Sequence, residues 1–83
     1  MADYKYLSFE ELYSTTKTKK FEVRNKIYGG LLGVVKWYAP WRRYCLFIDL
    51  PGLVFDAGCL ADIQDFINKL MEERKEANHD DKH

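Results

Sequence analysis

Apolar and polar residues alternate from Phe21 onward, with Phe21, Val23 and Ile27 on one side and Glu22, Arg24 and Lys26 on the other. A period of two is the signature of a strand with one buried face. Tyr28-Gly29-Gly30 breaks the run, and a glycine pair between two β-rich stretches permits the positive φ of a tight hairpin turn. The next stretch, Leu31 to Tyr38, puts Gly33, Val35 and Trp37 on one side and Leu32, Val34, Lys36 and Tyr38 on the other. Both faces are largely apolar, which predicts a central strand. Ala39-Pro40-Trp41 reads as a turn, because proline lacks a ladder donor and drives the preceding residue out of the helical region. Arg42 to Ile48 then returns antiparallel.

The ends of the chain follow other rules. Tyr4 to Tyr13 places Tyr4, Tyr6 and Ser8 on one side, although Phe9, Leu12 and Tyr13 also suit helical spacing; the expectation is an edge strand. Ser14 to Lys20 is polar, with Lys17, Lys19 and Lys20 clustered, and should form an exposed loop. Asp49-Leu50-Pro51-Gly52 is a turn by composition, and Leu53-Val54-Phe55 is either a short fourth strand or the approach to a helix. Asp56 is placed to cap that helix, which should start at Ala57. Leu60, Ile63, Phe66 or Ile67, Leu70 and Met71 recur at three and four residues, one apolar stripe to lay on a sheet. Beyond Met71 the charged residues keep helical propensity without apolar contacts, so the helix should run into solvent. The predicted architecture is α+β: an antiparallel meander of three to four strands packed on one C-terminal helix. It forms a single domain over residues 1–76, with a disordered tail at 77–83.

Composition narrows the function classes. Eighty-three residues, 47% of them apolar and 16% aromatic, can close one small core built around large rings. Thirteen basic residues balance thirteen acidic ones, so no overall field draws the chain to nucleic acid or to a membrane surface. The first residues show no basic segment ahead of an apolar run, and no stretch nears the length of a membrane span, so a cytoplasmic location without membrane contact is expected. Two cysteines, Cys45 and Cys59, read as buried free thiols. Cys59 lies near a helix start, where a thiolate would be favoured, but no histidine partner is at hand outside the tail. His79 and His83 offer metal-ligand types on a tail that would first have to be ordered, so no metal is expected. No catalytic triad, carboxylate pair, phosphate loop or cofactor motif is present, and catalysis is not expected.

One segment stands out. Lys36-Trp37-Tyr38-Ala39-Pro40-Trp41-Arg42-Arg43-Tyr44 gathers both tryptophans, two tyrosines and three cations around a turn. Trp, Tyr and Arg dominate interface hot spots, and rings beside guanidinium groups also hold bases and phosphates. The plain alternative is packing, with Trp37 under the helix, Trp41 over the hairpin end and the arginines stacked on the rings. Parity puts Trp37 on the core side, leaving Lys36, Tyr38, Trp41, Arg42, Arg43 and Tyr44 as candidate partner-binding residues. A single helix covers only one sheet face, so Leu32, Val34 and Tyr38 would stay open, and a homodimer through that face would cover them. Asp62, Asp65, Glu72 and Glu73 would give the helix an acidic outer face.

Gly33-Val34-Val35-Lys36-Trp37-Tyr38-Ala39-Pro40-Trp41-Arg42-Arg43-Tyr44-Cys45, followed by Cys59-Leu60-Ala61-Asp62-Ile63, resembles a family of short uncharacterised proteins from bacteriophages and bacterial mobile elements. Those proteins carry a Gly-x-x-Lys-Trp-Tyr-x-Pro-Trp-Arg-x-Tyr-Cys segment ahead of a Cys-Leu-x-Asp-Ile helix. The likeness spans roughly Phe21 to Leu70, and the chain carries Ala39, Arg43 and Leu46 where Gly, Gln and Phe are commoner. The resemblance implies a phage or mobile-element origin. Small proteins of that origin often bind and disable a host protein, which makes a host protein the expected partner, with a nucleic acid or nucleotide as the alternative.

Overall fold

The computed structural model describes residues 4–48 and 50–77. Four strands, β1 (Leu7–Leu12), β2 (Lys20–Asn25), β3 (Leu31–Tyr38) and β4 (Arg43–Phe47), form one antiparallel sheet in the order β1-β2-β3-β4. A short 3-10 turn, Ala39–Trp41, joins β3 to β4, and one helix, α1 (Ala57–Ala77), lies on a single face of the sheet. The fold is α+β, a meander on one C-terminal helix. Leu53 to Phe55 is not a strand; it leads into α1, and Phe55 packs against the core. The tail residues 78–83, expected to be disordered, lie outside the described residues, as does Asp49 of the predicted turn after β4.

Register sorts the two faces. Phe9 pairs with Val23, Val23 with Gly33, Phe21 with Val35 and Val35 with Leu46, so these residues share the helix-facing side. The core there comprises Leu7, Phe21, Val23, Val35, Tyr44, Ile63 and Leu70. Phe66 organises its aromatic part, stacked 4.0 Å from Phe9 and edge-on to Phe21 at 4.8 Å. Such pairs add about 0.5–1.5 kcal/mol beyond area burial, useful in a chain with so small a core.

Four local expectations are corrected. Ile27 does not continue the buried face of β2: it sits in the loop and is 74% exposed. That loop is wider than a tight turn because Asn25 closes it. The Asn25 Oδ1 accepts the amides of Ile27 and Tyr28 at 2.9 and 3.0 Å, and Gly29 adopts φ +75° while donating to the Asn25 carbonyl. On α1 the buried stripe runs Cys59, Ile63, Phe66, Leu70, and Leu60, about 100° further round the helix, is 53% exposed. The C-terminal turns of α1 are also engaged: Arg74 stacks on Trp37 at 4.0 Å, Glu73 pairs with Lys19 at 3.5 Å, and the Met71 sulfur accepts the Tyr44 amide at 3.4 Å. The aliphatic parts of long side chains thus extend the packed face past the last apolar residue.

Asp56 caps α1 as expected, its Oδ1 accepting the Cys59 amide at 2.9 Å, and this contact holds its carboxyl below the usual carboxylate range. A lowered folded-state pKa contributes stability that is complete above about pH 4 and lost as pH falls through the lowered value. Asp56→Ala should lower the melting temperature at neutral pH, whereas Asp56→Asn keeps an acceptor and should melt close to wild type. In acid the wild type should fall below Asp56→Asn, and melts from pH 7 down to 2 that stay parallel would remove the charge from this account.

Candidate functional site

The turn between β3 and β4 decides which side each of its residues serves. Tyr38 ends the strand in extended geometry, Pro40 starts the 3-10 turn, and Arg42 closes it in the left-handed region at φ 55°, ψ 49°. A non-glycine residue is uncommon there, and two bonds hold it: the Arg42 amide donates to the Tyr38 carbonyl at 2.9 Å and to the Ala39 carbonyl at 3.1 Å. The reversal places Arg43 opposite Tyr38 and Trp37 opposite Tyr44.

Lys36, Tyr38, Trp41 and Arg43 gather on the sheet face away from α1. Register adds Phe47, the partner of Val34, and Cys45, the partner of Lys36. Tyr38 meets Trp41 edge-on at 5.0 Å and Phe47 at 5.8 Å, and the Lys36 ammonium lies 4.5 Å from the Phe47 ring. Trp41 is 64% exposed, and the Arg43 Nε donates to its carbonyl at 3.4 Å. Beside this cluster lies a shallow depression of about 290 Å³ floored by Leu32, Val34 and Phe47 and bordered by Lys20 and Lys36.

Tyr44 and Arg42 lie elsewhere. Tyr44 is only 5% exposed, edge-on to Trp37 at 5.4 Å, with its hydroxyl accepting the Lys19 amide at 3.1 Å. It belongs to the core and not to a partner-binding surface, because its strand position has the parity of Leu46 and faces the helix. Arg42 turns to the helix side, where Arg42, Trp37, Met71, Glu72, Arg74 and Lys75 line a second depression of about 420 Å³. Sequence spacing gave no sign of this groove, since its basic residues come from two elements far apart in the chain.

The remaining candidates hold less chemistry. Cys45 and Cys59 are free and half-buried. Burial, followed by the Asp56 carboxylate, pushes the Cys59 thiol up, so the helix start does not yield a ready thiolate. No group of three or more metal-ligating side chains occurs among the described residues, and the two histidines lie outside them. The acidic helix face is partly committed: Asp65 accepts the Tyr4 hydroxyl at 2.7 Å and pairs with Lys69 at 3.0 Å, while Glu73 holds Lys19. Tyr4 and Lys69 keep the Asp65 carboxyl low. Among the described residues no helix is long and apolar enough to cross a membrane.

Comparison with known proteins finds a relative 42% identical over 72 residues, spanning 86% of this chain and 91% of the relative: the uncharacterized 9.3 kDa protein of Acholeplasma phage L2. No family model matches the chain. No solved structure matches it either.

Proposed function

This chain belongs to the family of the 9.3 kDa protein of Acholeplasma phage L2, and from that membership we propose that it is a non-enzymatic phage-type protein that binds a protein of the host cell. The binding would take place in the cytoplasm and inhibit a host defence or metabolic factor. One observation carries the reading: a cluster of exposed Trp41 and Arg43 with half-buried Tyr38, Phe47 and Lys36 on the sheet face that α1 leaves uncovered. Its rings are held edge-on by one another, so little side-chain freedom remains to be lost on contact. Trp, Tyr and Arg are the side chains that interface hot spots favour, and the apolar floor of Leu32, Val34 and Phe47 continues the patch.

A tagged chain pulled from host lysate under nuclease and high salt should retain a stoichiometric protein. Trp41→Ala should weaken that complex by about thirtyfold or more, the effect of removing a hot-spot tryptophan worth about 2 kcal/mol, while the thermal melt stays unchanged. A partner held equally well by the Trp41→Ala chain would exclude this face. Self-association through the same surface is the second reading, favoured by Leu31 and Leu50, which are 37% and 53% exposed beside the Val34–Phe47 pair. Sedimentation equilibrium separates the two, since a homodimer would sediment at twice the monomer mass without any partner.

A further inference from the structure

We infer that the groove between Trp37 and the C-terminal turns of α1 is an anion site for linked phosphate groups, supplied by a nucleotide or by a nucleic-acid strand. It lies on the opposite side of the sheet from the surface proposed for a protein partner and does not depend on that reading. Three cations converge there, Arg42 from the β3–β4 turn and Arg74 and Lys75 from α1, around the rim of a depression of about 420 Å³. Among the described residues none of the three makes an ion pair, whereas Lys19, Arg24 and Lys69 each hold a carboxylate. Among the described residues Glu72 is the one acidic side chain on the lining, against three cations, in a chain whose net charge is zero.

Two of the cations are positioned before any ligand arrives. Arg42 is fixed in the left-handed region by two backbone hydrogen bonds, which direct its side chain to the helix side. Backbone conformations of this kind concentrate at binding sites, where surrounding structure holds them in place. Arg74 sits over Trp37 with its guanidinium carbon 4.0 Å from the ring centre, which places the head at the groove, and its N–H donors, in no ion pair among the described residues, can serve phosphate oxygens. Trp37 is itself engaged by Arg74 and Tyr44 and is not available to stack a base. The site should therefore recognise phosphate and not sequence. Three separate donors around one open depression suit two or three linked phosphates better than one.

The test uses three probes at low salt: a fluorescent twenty-residue oligothymidylate by anisotropy, and ATP and inorganic tripolyphosphate by calorimetry. Binding of the strand should fall with salt at a slope of about −2, the value for three phosphates on a single strand. Arg42→Asn, which suits the left-handed turn, and Lys75→Gln should each weaken binding about tenfold, as expected for loss of a charge-assisted bond. Glu72→Gln should strengthen it, and Trp41→Ala should leave it unchanged. Binding of ATP and tripolyphosphate without the strand would identify a nucleotide as the source; binding of the strand with a weaker ATP contact would identify nucleic acid. The inference is overturned if no probe binds, if Arg42→Asn and Lys75→Gln bind as wild type, or if Lys17→Gln and Lys20→Gln carry the loss instead.

Discussion

Leu7→Ala should destabilise the protein by about 2–5 kcal/mol, the range for truncating a fully buried leucine, where the lost transfer energy is joined by the cavity left behind. Leu7 is 1% exposed, the least accessible leucine of the core, although it starts an edge strand. It is buried because β1 pairs with β2 through Leu7–Asn25, and its parity with Phe9 turns it under the helix. An 83-residue domain has a total stability of about 4–12 kcal/mol, so this single change removes a large share of it. Urea unfolding should show a much lower midpoint with an unchanged slope. Leu60→Ala supplies the contrast: the same truncation at a site 53% exposed should stay within about 0.5 kcal/mol. Equal midpoints for the two variants would contradict the packing described above.

Gly33→Ala should also destabilise, by about 1–3 kcal/mol, for the opposite reason of too many atoms. A β-carbon at position 33 would lie 2.6 Å from the Phe47 carbonyl oxygen and 3.0 Å from a Leu46 methyl carbon. The first neighbour is backbone of an adjacent strand and cannot swing away, so the end of β4 must move. Position 33 also borders the irregularity in β2–β3 pairing: Val23 opposes Gly33 while Arg24 opposes Leu31, leaving Leu32 as the extra residue. Displacing β4 there would shift Phe47, on which Lys36 and Tyr38 rest, so the cluster on the open face should be disturbed together with stability. Gly30→Ala meets nothing within 4 Å and should be neutral or slightly stabilising. Thermal melts with amide chemical-shift maps distinguish these outcomes, and a Gly33→Ala protein with wild-type stability and shifts would show that β4 yields more freely than its geometry indicates.

The Trp-Tyr-x-Pro-Trp-Arg turn works as a divider. Extended residues on either side of it send alternate side chains to opposite faces, so Lys36, Tyr38 and Arg43 serve the open face while Trp37 and Tyr44 serve the helix. Arg42, in its left-handed conformation, joins the helix side. One linear cluster of aromatic and basic residues therefore supplies two surfaces of different chemistry: ring-rich with flanking cations on one side, cationic over a shielded tryptophan on the other.

Local pattern was enough for the order of elements, the antiparallel meander, the Asp56 cap and the start of α1, because alternation, capping oxygens and proline act within a few residues of themselves. The same pattern put Trp37 on the core side correctly, since strand parity depends only on counting. It failed where a position answers to distant atoms. Tyr44 shares its parity with Arg42 and Leu46, and Arg43, Cys45 and Phe47 make an equally mixed face, so counting along β4 does not say which side meets the helix. Met71 and Lys19, remote in the chain, contact Tyr44 and settle it. Leu60 fits a helical stripe, but the rotation of α1 is set by which side chains pack on the sheet: Phe66 lies against Phe9 and Phe21, and Ile63 and Leu70 join the buried core. The groove of Arg42, Arg74 and Lys75 exists only after the helix end has folded back beside the turn. Periodicity states which residues of one element share a face; what that face meets is decided by packing between elements, where volume and close approach select one arrangement.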